Sequence, residues 1–165
     1  MRAYVDTSVL VASHTREPHT DIAQAWLAAQ SGEGLILSTW ALVECDSAVA
    51  IKLRRGEMDA NGQAAAMADI NAFAACFAPF AVPVEEDYQR ARELCRHAAS
   101  GLRAGGSLHL AMALRLDATH FATLDKILAT NAAAHGLATL IMPPGTSVII
   151  GEGQPTALYP ALQRL

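Results

Sequence analysis

The sequence predicts an α/β domain, a three-layer α/β/α sandwich around a mostly parallel, five-stranded sheet. Three observations carry this reading. Short β-prone runs alternate with longer helix-compatible runs, the order that buries a parallel sheet beneath helices on both faces. The chain has 165 residues, 52% hydrophobic and only 17% charged, enough to close a full core with little disorder. No linker, internal repeat or low-complexity segment divides it. The expected boundaries are therefore one domain over residues 1–142. Residues 143–165 are expected to form an extension packed on that domain or on a partner.

The elements follow in order. Ala3-Tyr4-Val5 is a short first strand, and Thr7 to His14 a helix ending before Glu17-Pro18. Thr20 caps a helix over Asp21–Gln30, with Ile22, Ala25, Trp26 and Ala29 at three- and four-residue spacing. Gly34 releases a second strand, Leu35-Ile36-Leu37, and Ser38 or Thr39 caps a long helix running to Arg55. Leu42, Cys45, Val49 and Leu53 form its apolar stripe. Asp59 or Asn61 starts an alanine-rich helix to about Phe77. A third strand, Phe80-Ala81-Val82, lies between Pro79 and Pro83, which suits a sheet edge.

Glu85, Glu86 and Asp87 favour the start of the next helix through its dipole; Ser100-Gly101 ends it. Gly105-Gly106-Ser107 opens a helix, Leu108 to Leu116, that is apolar almost all round and so is expected deep in the domain. Ala118 to Thr123 reads as a fourth strand, Asp125 to Ala134 as a helix, and Leu137 to Met142 as a fifth strand. Beyond Pro143-Pro144-Gly145, Ser147–Ile150 suits an edge strand, and Ala157–Leu162 suits docking on a partner or a sister subunit.

Charge and cysteine usage narrow the function classes. A net charge of −4 argues against holding nucleic acid by bulk positive charge, though a metal site or a local basic patch would still do so. Lys52, Arg54, Arg55, Arg90, Arg92, Arg96 and Arg103 are either such a phosphate path or ordinary solvated helix faces. Cys45, Cys76 and Cys95 lack paired spacing and read as reduced core thiols. The start MRAYVD has no apolar stretch, because Asp6 interrupts it, so no secretory signal is expected. No window approaches about 18 uninterrupted apolar residues, so a soluble, cytoplasmic protein is expected.

Three acids stand out by position. Asp6 follows the first strand, Glu44 lies in the apolar run Trp40-Ala41-Leu42-Val43-Glu44-Cys45, and Asp125 follows the fourth strand. In a parallel sheet, residues after strands one and four emerge on the same edge, near the switch point where such folds bind ligands. Carboxylates ~4 Å apart repel by roughly 4 kcal/mol at an effective dielectric near 20, so a shared site needs a cation. Oxygen ligands suit Mg²⁺ or Mn²⁺, which would activate water and offset phosphodiester charge in hydrolysis. Structural readings stand beside this one. Asp6 and Asp125 are also good helix caps, and Glu44 would equally reach the surface or pair with Lys52 or an arginine.

Other chemistries are screened out. There is no G-x-x-x-x-G-K-[ST], G-x-G-x-x-G, H-E-x-x-H or G-x-S-x-G pattern. The six histidines are dispersed without ligand spacing, and His109, on the apolar helix, reads as a satisfied core histidine. A phosphatase aspartate of the haloacid-dehalogenase type would want an acid where Ser8 stands. A receiver domain would want one where Pro83-Val84 stands.

Four motifs in register then resemble a PIN-domain ribonuclease, of the VapC kind found in bacterial toxin–antitoxin pairs. They are Val5-Asp6-Thr7-Ser8, Leu42-Val43-Glu44, Gly101 through Ala111, and Phe121-Ala122-Thr123-Leu124-Asp125. The resemblance implies Mg²⁺- or Mn²⁺-dependent RNA cleavage, a homodimer, and inhibition by a VapB-like antitoxin. By it, Asp6, Glu44 and Asp125 match three of four metal-binding acids, and Thr7 or Ser8 holds a metal-bound water or a neighbouring carboxylate. The family's G-D-A-L-H reads Gly105-Gly106-Ser107-Leu108-His109 here, so the fourth acid falls on Gly106. Ser107 lies about 100° around the helix and is no obvious substitute. Weak metal binding and reduced cleavage are expected. The competing reading is a non-catalytic module that binds RNA or an antitoxin.

Overall fold

The computed structural model describes residues 1–30 and 34–140. Four parallel strands are seen among them: β1 (Ala3–Val5), β2 (Leu35–Ile36), β3 (His120–Ala122) and β4 (Ala138–Leu140). Their order is β2-β1-β3-β4, with Tyr4 opposite both Ile36 and Phe121, and Phe121 opposite Thr139. The further strand expected at Phe80–Val82 is reduced to one parallel bridge between Ala81 and Ser38. Ala81 donates its N–H to Leu37 O and accepts from Thr39 N, and the flanking Pro79 and Pro83 bring no N–H to lengthen the ladder.

Helices α1 (Thr7–His14), α2 (Thr20–Ala28), α3 (Thr39–Arg54), α4 (Ala60–Ala75), α5 (Glu85–Arg96), α6 (Ala104–Arg115) and α7 (Lys126–Ala134) cover the sheet. Alternation along the strands divides the core into two layers. Ala3, Val5, Ala122 and Leu140 pack with residues of α1 to α4, such as Leu10, Leu27, Val49 and Ile70. Tyr4 and Phe121 face the other way, onto Leu94, Leu110, Met112 and Leu128 of α5 to α7. The rings of Tyr4 and Phe121 stack at 5.4 Å. The sandwich is three-layered, as the alternation of strand and helix implies.

Helix starts match their sequence signals in part. Ser38 Oγ accepts from Ala41 N at 3.1 Å and caps α3; Asp59 caps α4 through Gly62 N. Helix α6 begins at Ala104, so both glycines lie inside its first turn rather than before it. Gly101 sits at φ +67°, the left-handed conformation that lets the chain turn after α5 and its one-turn 3-10 extension Ala98–Ser100. Asp87 is fully buried and joins α5 to α6: Arg115 donates to it from Nε at 2.7 Å and from a terminal guanidinium nitrogen at 2.9 Å. The thiols are free, and Cys76 is exposed rather than in the core.

Residues 141–142 of the expected fifth strand and the whole 143–165 extension lie outside the described residues. The edge strand expected at Ser147–Ile150 and the docking segment expected at Ala157–Leu162 fall in the same range. Among the described residues, no helix is long and apolar enough to cross a membrane.

Candidate metal centre

Because the strands are parallel, the residues following β1, β2 and β3 reach one edge of the sheet. Asp6 follows β1, and its N–H donates to Ala122 O at 3.0 Å, extending the ladder by one residue. It occupies the position before α1, yet its carboxylate makes no capping hydrogen bond, so the helix-cap reading does not describe it. Instead Ser8 Oγ donates to Asp6 Oδ2 at 2.7 Å, and Thr123 Oγ1 donates to the same oxygen. Ser8 Oγ also accepts from Leu124 N at 2.9 Å, tying the first turn of α1 to the end of β3. Asp6 is 4% exposed, and among the described residues its Oδ1 accepts no hydrogen bond.

Glu44 comes from α3, whose start is fixed by Ser38 shortly after β2. Its Oε2 accepts from Thr7 Oγ1 at 2.8 Å and lies 2.7 Å from His109 Nε2. Lys52, one of the partners considered from sequence, pairs with Glu17 and Glu57 instead. Burial acts to raise the Glu44 pKa. The hydrogen bond and charge of His109, with the Thr7 hydroxyl, outweigh it and hold the carboxyl below its ordinary value. Thr7 and Ser8 thus each donate a hydrogen bond to a carboxylate, Thr7 to Glu44 and Ser8 to Asp6.

His109 is the residue that sequence reasoning places in the core and leaves out of the site. It is buried, at 1% exposure, but its Nε2 lies 2.7 Å from Glu44 Oε2 and 3.6 Å from Asp6 Oδ1. On the other side of the ring, Nδ1 lies 2.9 Å from Tyr4 Oη, and Tyr4 donates to Ser38 Oγ at 2.8 Å. Burial pushes the Tyr4 hydroxyl far above its ordinary pKa, which keeps it a neutral donor. The available signal is the lone imidazole on an otherwise apolar helix: it needs polar partners, and the acids at the sheet edge are the nearest supply.

Asp125 stands apart from this cluster. It is exposed, and its Oδ1 accepts from Ile127 N and Leu128 N, capping α7. Thr123 links it to Asp6, since its Oγ1 accepts from Asp125 N at 3.0 Å while donating to Asp6. The structure thus brings Asp6, Glu44 and His109 together, with one ligand atom of each within 4.8 Å of the others, and leaves Asp125 beside them as a cap.

The two glycines of α6 differ in surroundings. A Cβ at Gly106 would touch Leu128 and Leu102 at 3.6–3.8 Å, ordinary contact. A Cβ at Gly105 would overlap Glu44 Oε1, so the Glu44 carboxylate occupies the space that Gly105 leaves open. Two carboxylates, an imidazole nitrogen and this glycine cradle fit a divalent ion by donor type.

The PIN domain family matches residues 3–134 of the chain. Among solved structures, FitAcB from Neisseria gonorrhoeae is similar at 19% identity, covering 84% of this chain and 96% of its own, with a TM-score of 0.65. VapC20 of Mycobacterium tuberculosis, a sarcin-ricin loop cleaving toxin, is similar at 18% identity, covering 82% of this chain and 96% of its own, with a TM-score of 0.61. FitAB bound to an IR36 DNA fragment is similar at 17% identity, covering 84% and 93%, with a TM-score of 0.64. No curated protein matches the chain.

Proposed function

The chain belongs to the PIN-domain family, and from that we propose that it is a metal-dependent endoribonuclease, the toxin of a toxin–antitoxin pair. The observation that carries this reading is the convergence of Asp6 and Glu44 at the carboxyl edge of a parallel sheet, with the Asp6 carboxylate not used as a helix cap. Mg²⁺ or Mn²⁺ bound there would act as a Lewis acid, activating water and offsetting phosphodiester charge. Asp6 and Glu44 are the proposed ligands, with Asp125 approaching through its second oxygen. Ser8 and Thr123 orient Asp6, and Thr7 orients Glu44, so both carboxylates are set before any ion arrives. Arg103, at the start of α6, is proposed to meet RNA phosphate.

The likeness to VapC20 supports RNA as substrate, and the likeness to FitAcB and VapC20 supports a VapB-like antitoxin partner. A homodimer acting in the cytoplasm completes the proposal. A second reading has its own observation. Position 106, where the resemblance places a fourth acid, has no side chain, and His109 already meets both carboxylates. That arrangement suits a module that binds RNA or antitoxin without cutting.

The Gly106→Asp variant separates the two. There is room for its Cβ, and an acid in the first turn of α6 suits the helix dipole. Mg²⁺-dependent cleavage of RNA should rise by roughly ten- to a hundredfold over the unmodified chain. Equal activity in both would sink the idea that Gly106 limits the site. No activity in either would favour the binding module.

A further inference from the structure

Among the described residues, each carboxylate at the sheet edge has one oxygen tethered and one without a hydrogen bond. Asp6 Oδ2 is held by Ser8 and Thr123, while Oδ1 turns toward His109. Glu44 Oε2 is held by Thr7 and His109, while Oε1 sits over Gly105. Asp6 is more than nine-tenths buried.

The imidazole between them is set from its far side. Tyr4 gives its proton to Ser38 Oγ, an acceptor also used by Ala41 N, so the Tyr4 oxygen is open to accept at His109 Nδ1. On the near side, Nε2 lies 2.7 Å from Glu44 Oε2 and 3.6 Å from Asp6 Oδ1, so it stands where a cation between the two carboxylates would meet it, in place of the hydrogen bond to Glu44. A metal-bound histidine commonly donates its other ring N–H to an oxygen acceptor, which fixes its tautomer and orientation. Tyr4 supplies that acceptor here.

We propose that His109 Nε2 is a protein ligand of the divalent ion, completing an O,O,N set with Asp6 and Glu44, and that Tyr4 orients it from behind. This rests on the metal-dependent reading above and deepens it. Neither glycine in the first turn of α6 supplies a donor, and His109 lies one turn further on, on the Glu44 side. A nitrogen ligand shifts preference from Mg²⁺ toward Mn²⁺, because imidazole suits the transition metals while Mg²⁺ keeps oxygen ligands. The ligand atoms lie within 4.8 Å of one another, and Glu44 Oε2 and His109 Nε2, 2.7 Å apart, would part to admit the ion. Glu44, with its side chain 29% exposed, has the freedom to do so.

The test uses the full chain and Mn²⁺ alone. Pulsed electron paramagnetic resonance of the bound Mn²⁺ should show coupling to ¹⁴N, and labelling histidine with ¹⁵N should change that signal in the unmodified protein. The latter needs no variant and so is independent of folding. His109→Gln should abolish the coupling and weaken Mn²⁺ binding about ten- to a hundredfold, with a smaller effect on Mg²⁺. Tyr4→Phe should keep the coupling while weakening binding. Mn²⁺ bound with no nitrogen coupling, and equally well to His109→Gln, would overturn the inference and leave the carboxylate site standing. No Mn²⁺ binding at all would overturn both. Nitrogen-coupled Mn²⁺ without RNA cleavage would support the inference and remove the nuclease reading.

Discussion

Gly105 and Gly106 are neighbours in one helical turn, yet the same substitution should stabilise the chain at Gly106 and not at Gly105. Gly→Ala inside a helix stabilises by up to about 1 kcal/mol through backbone entropy. At Gly106 the new methyl meets Leu128 and Leu102 at ordinary contact distances, so most of that gain should survive. At Gly105 it overlaps Glu44 Oε1 and forces the carboxylate to turn. Because the carboxylate is planar, moving Oε1 also moves Oε2 away from Thr7 and His109. Hydrogen bonds to a charged group contribute about 1.5–3 kcal/mol each. With the Glu44 side chain 29% exposed, water recovers part of this, leaving a net loss of about 1–3 kcal/mol. Set against the helix gain, Gly105→Ala should lie between neutral and about 2 kcal/mol destabilised. Gly106→Ala should be stabilised by roughly 0.5–1 kcal/mol. In a chain of this size each kcal/mol shifts Tm by about 2–4 °C, so thermal unfolding of the two variants side by side resolves the difference. Gly105→Ala matching or exceeding Gly106→Ala would refute the reasoning, because the Glu44 carboxylate would then not depend on the space above Gly105.

Two further outcomes concern charge. Asp87→Asn removes the buried partner of Arg115 and should destabilise by about 3 kcal/mol, the low end for a broken buried pair because the Arg115 side chain is 27% exposed. A urea midpoint lowered at constant slope would show it; a change under about 1 kcal/mol would mean that the α5–α6 joint does not depend on this pair. Glu44 has its folded pKa depressed, so its contribution is complete above the unfolded carboxylate pKa and is lost as pH falls through the lower folded value. The stability gap between the unmodified chain and Glu44→Gln, followed by denaturation from about pH 6 down to about pH 3, roughly one unit below an ordinary glutamate, should therefore narrow toward acid. A gap independent of pH would contradict the pairing with His109 and Thr7.

How much is legible in the chain depends on whether the deciding interaction is local. Ser38 and Asp59 cap the helices that their positions predict, because a cap is satisfied within three residues. Pro79 and Pro83 signal a short edge strand, but the loss of its ladder to a single bridge depends on how the segment meets the chain after β2. Asp6 and Asp125 carry the same local signal, an acid between a strand and a helix, and the fold treats them differently. Asp125 caps α7, whereas the Asp6 carboxylate takes the hydroxyls of Ser8 and Thr123, the second 117 residues away, in place of backbone N–H groups of α1. Gly106 stands out in the sequence because of the acid expected there, while the glycine against a site carboxylate is Gly105, a distinction that needs the rotation of α6 relative to α3.

His109 marks the point where residue type alone misleads. A histidine on an apolar helix reads as a satisfied core residue, and by burial and hydrogen bonding it is one. Satisfaction and function are not alternatives here. An imidazole buried at the edge of a parallel sheet takes its partners from whatever reaches that edge, and these are Glu44, Thr7, Asp6 and Tyr4. The groups that make its burial tolerable are the groups of the candidate site, so the interactions that stabilise His109 also place its Nε2 between two carboxylates.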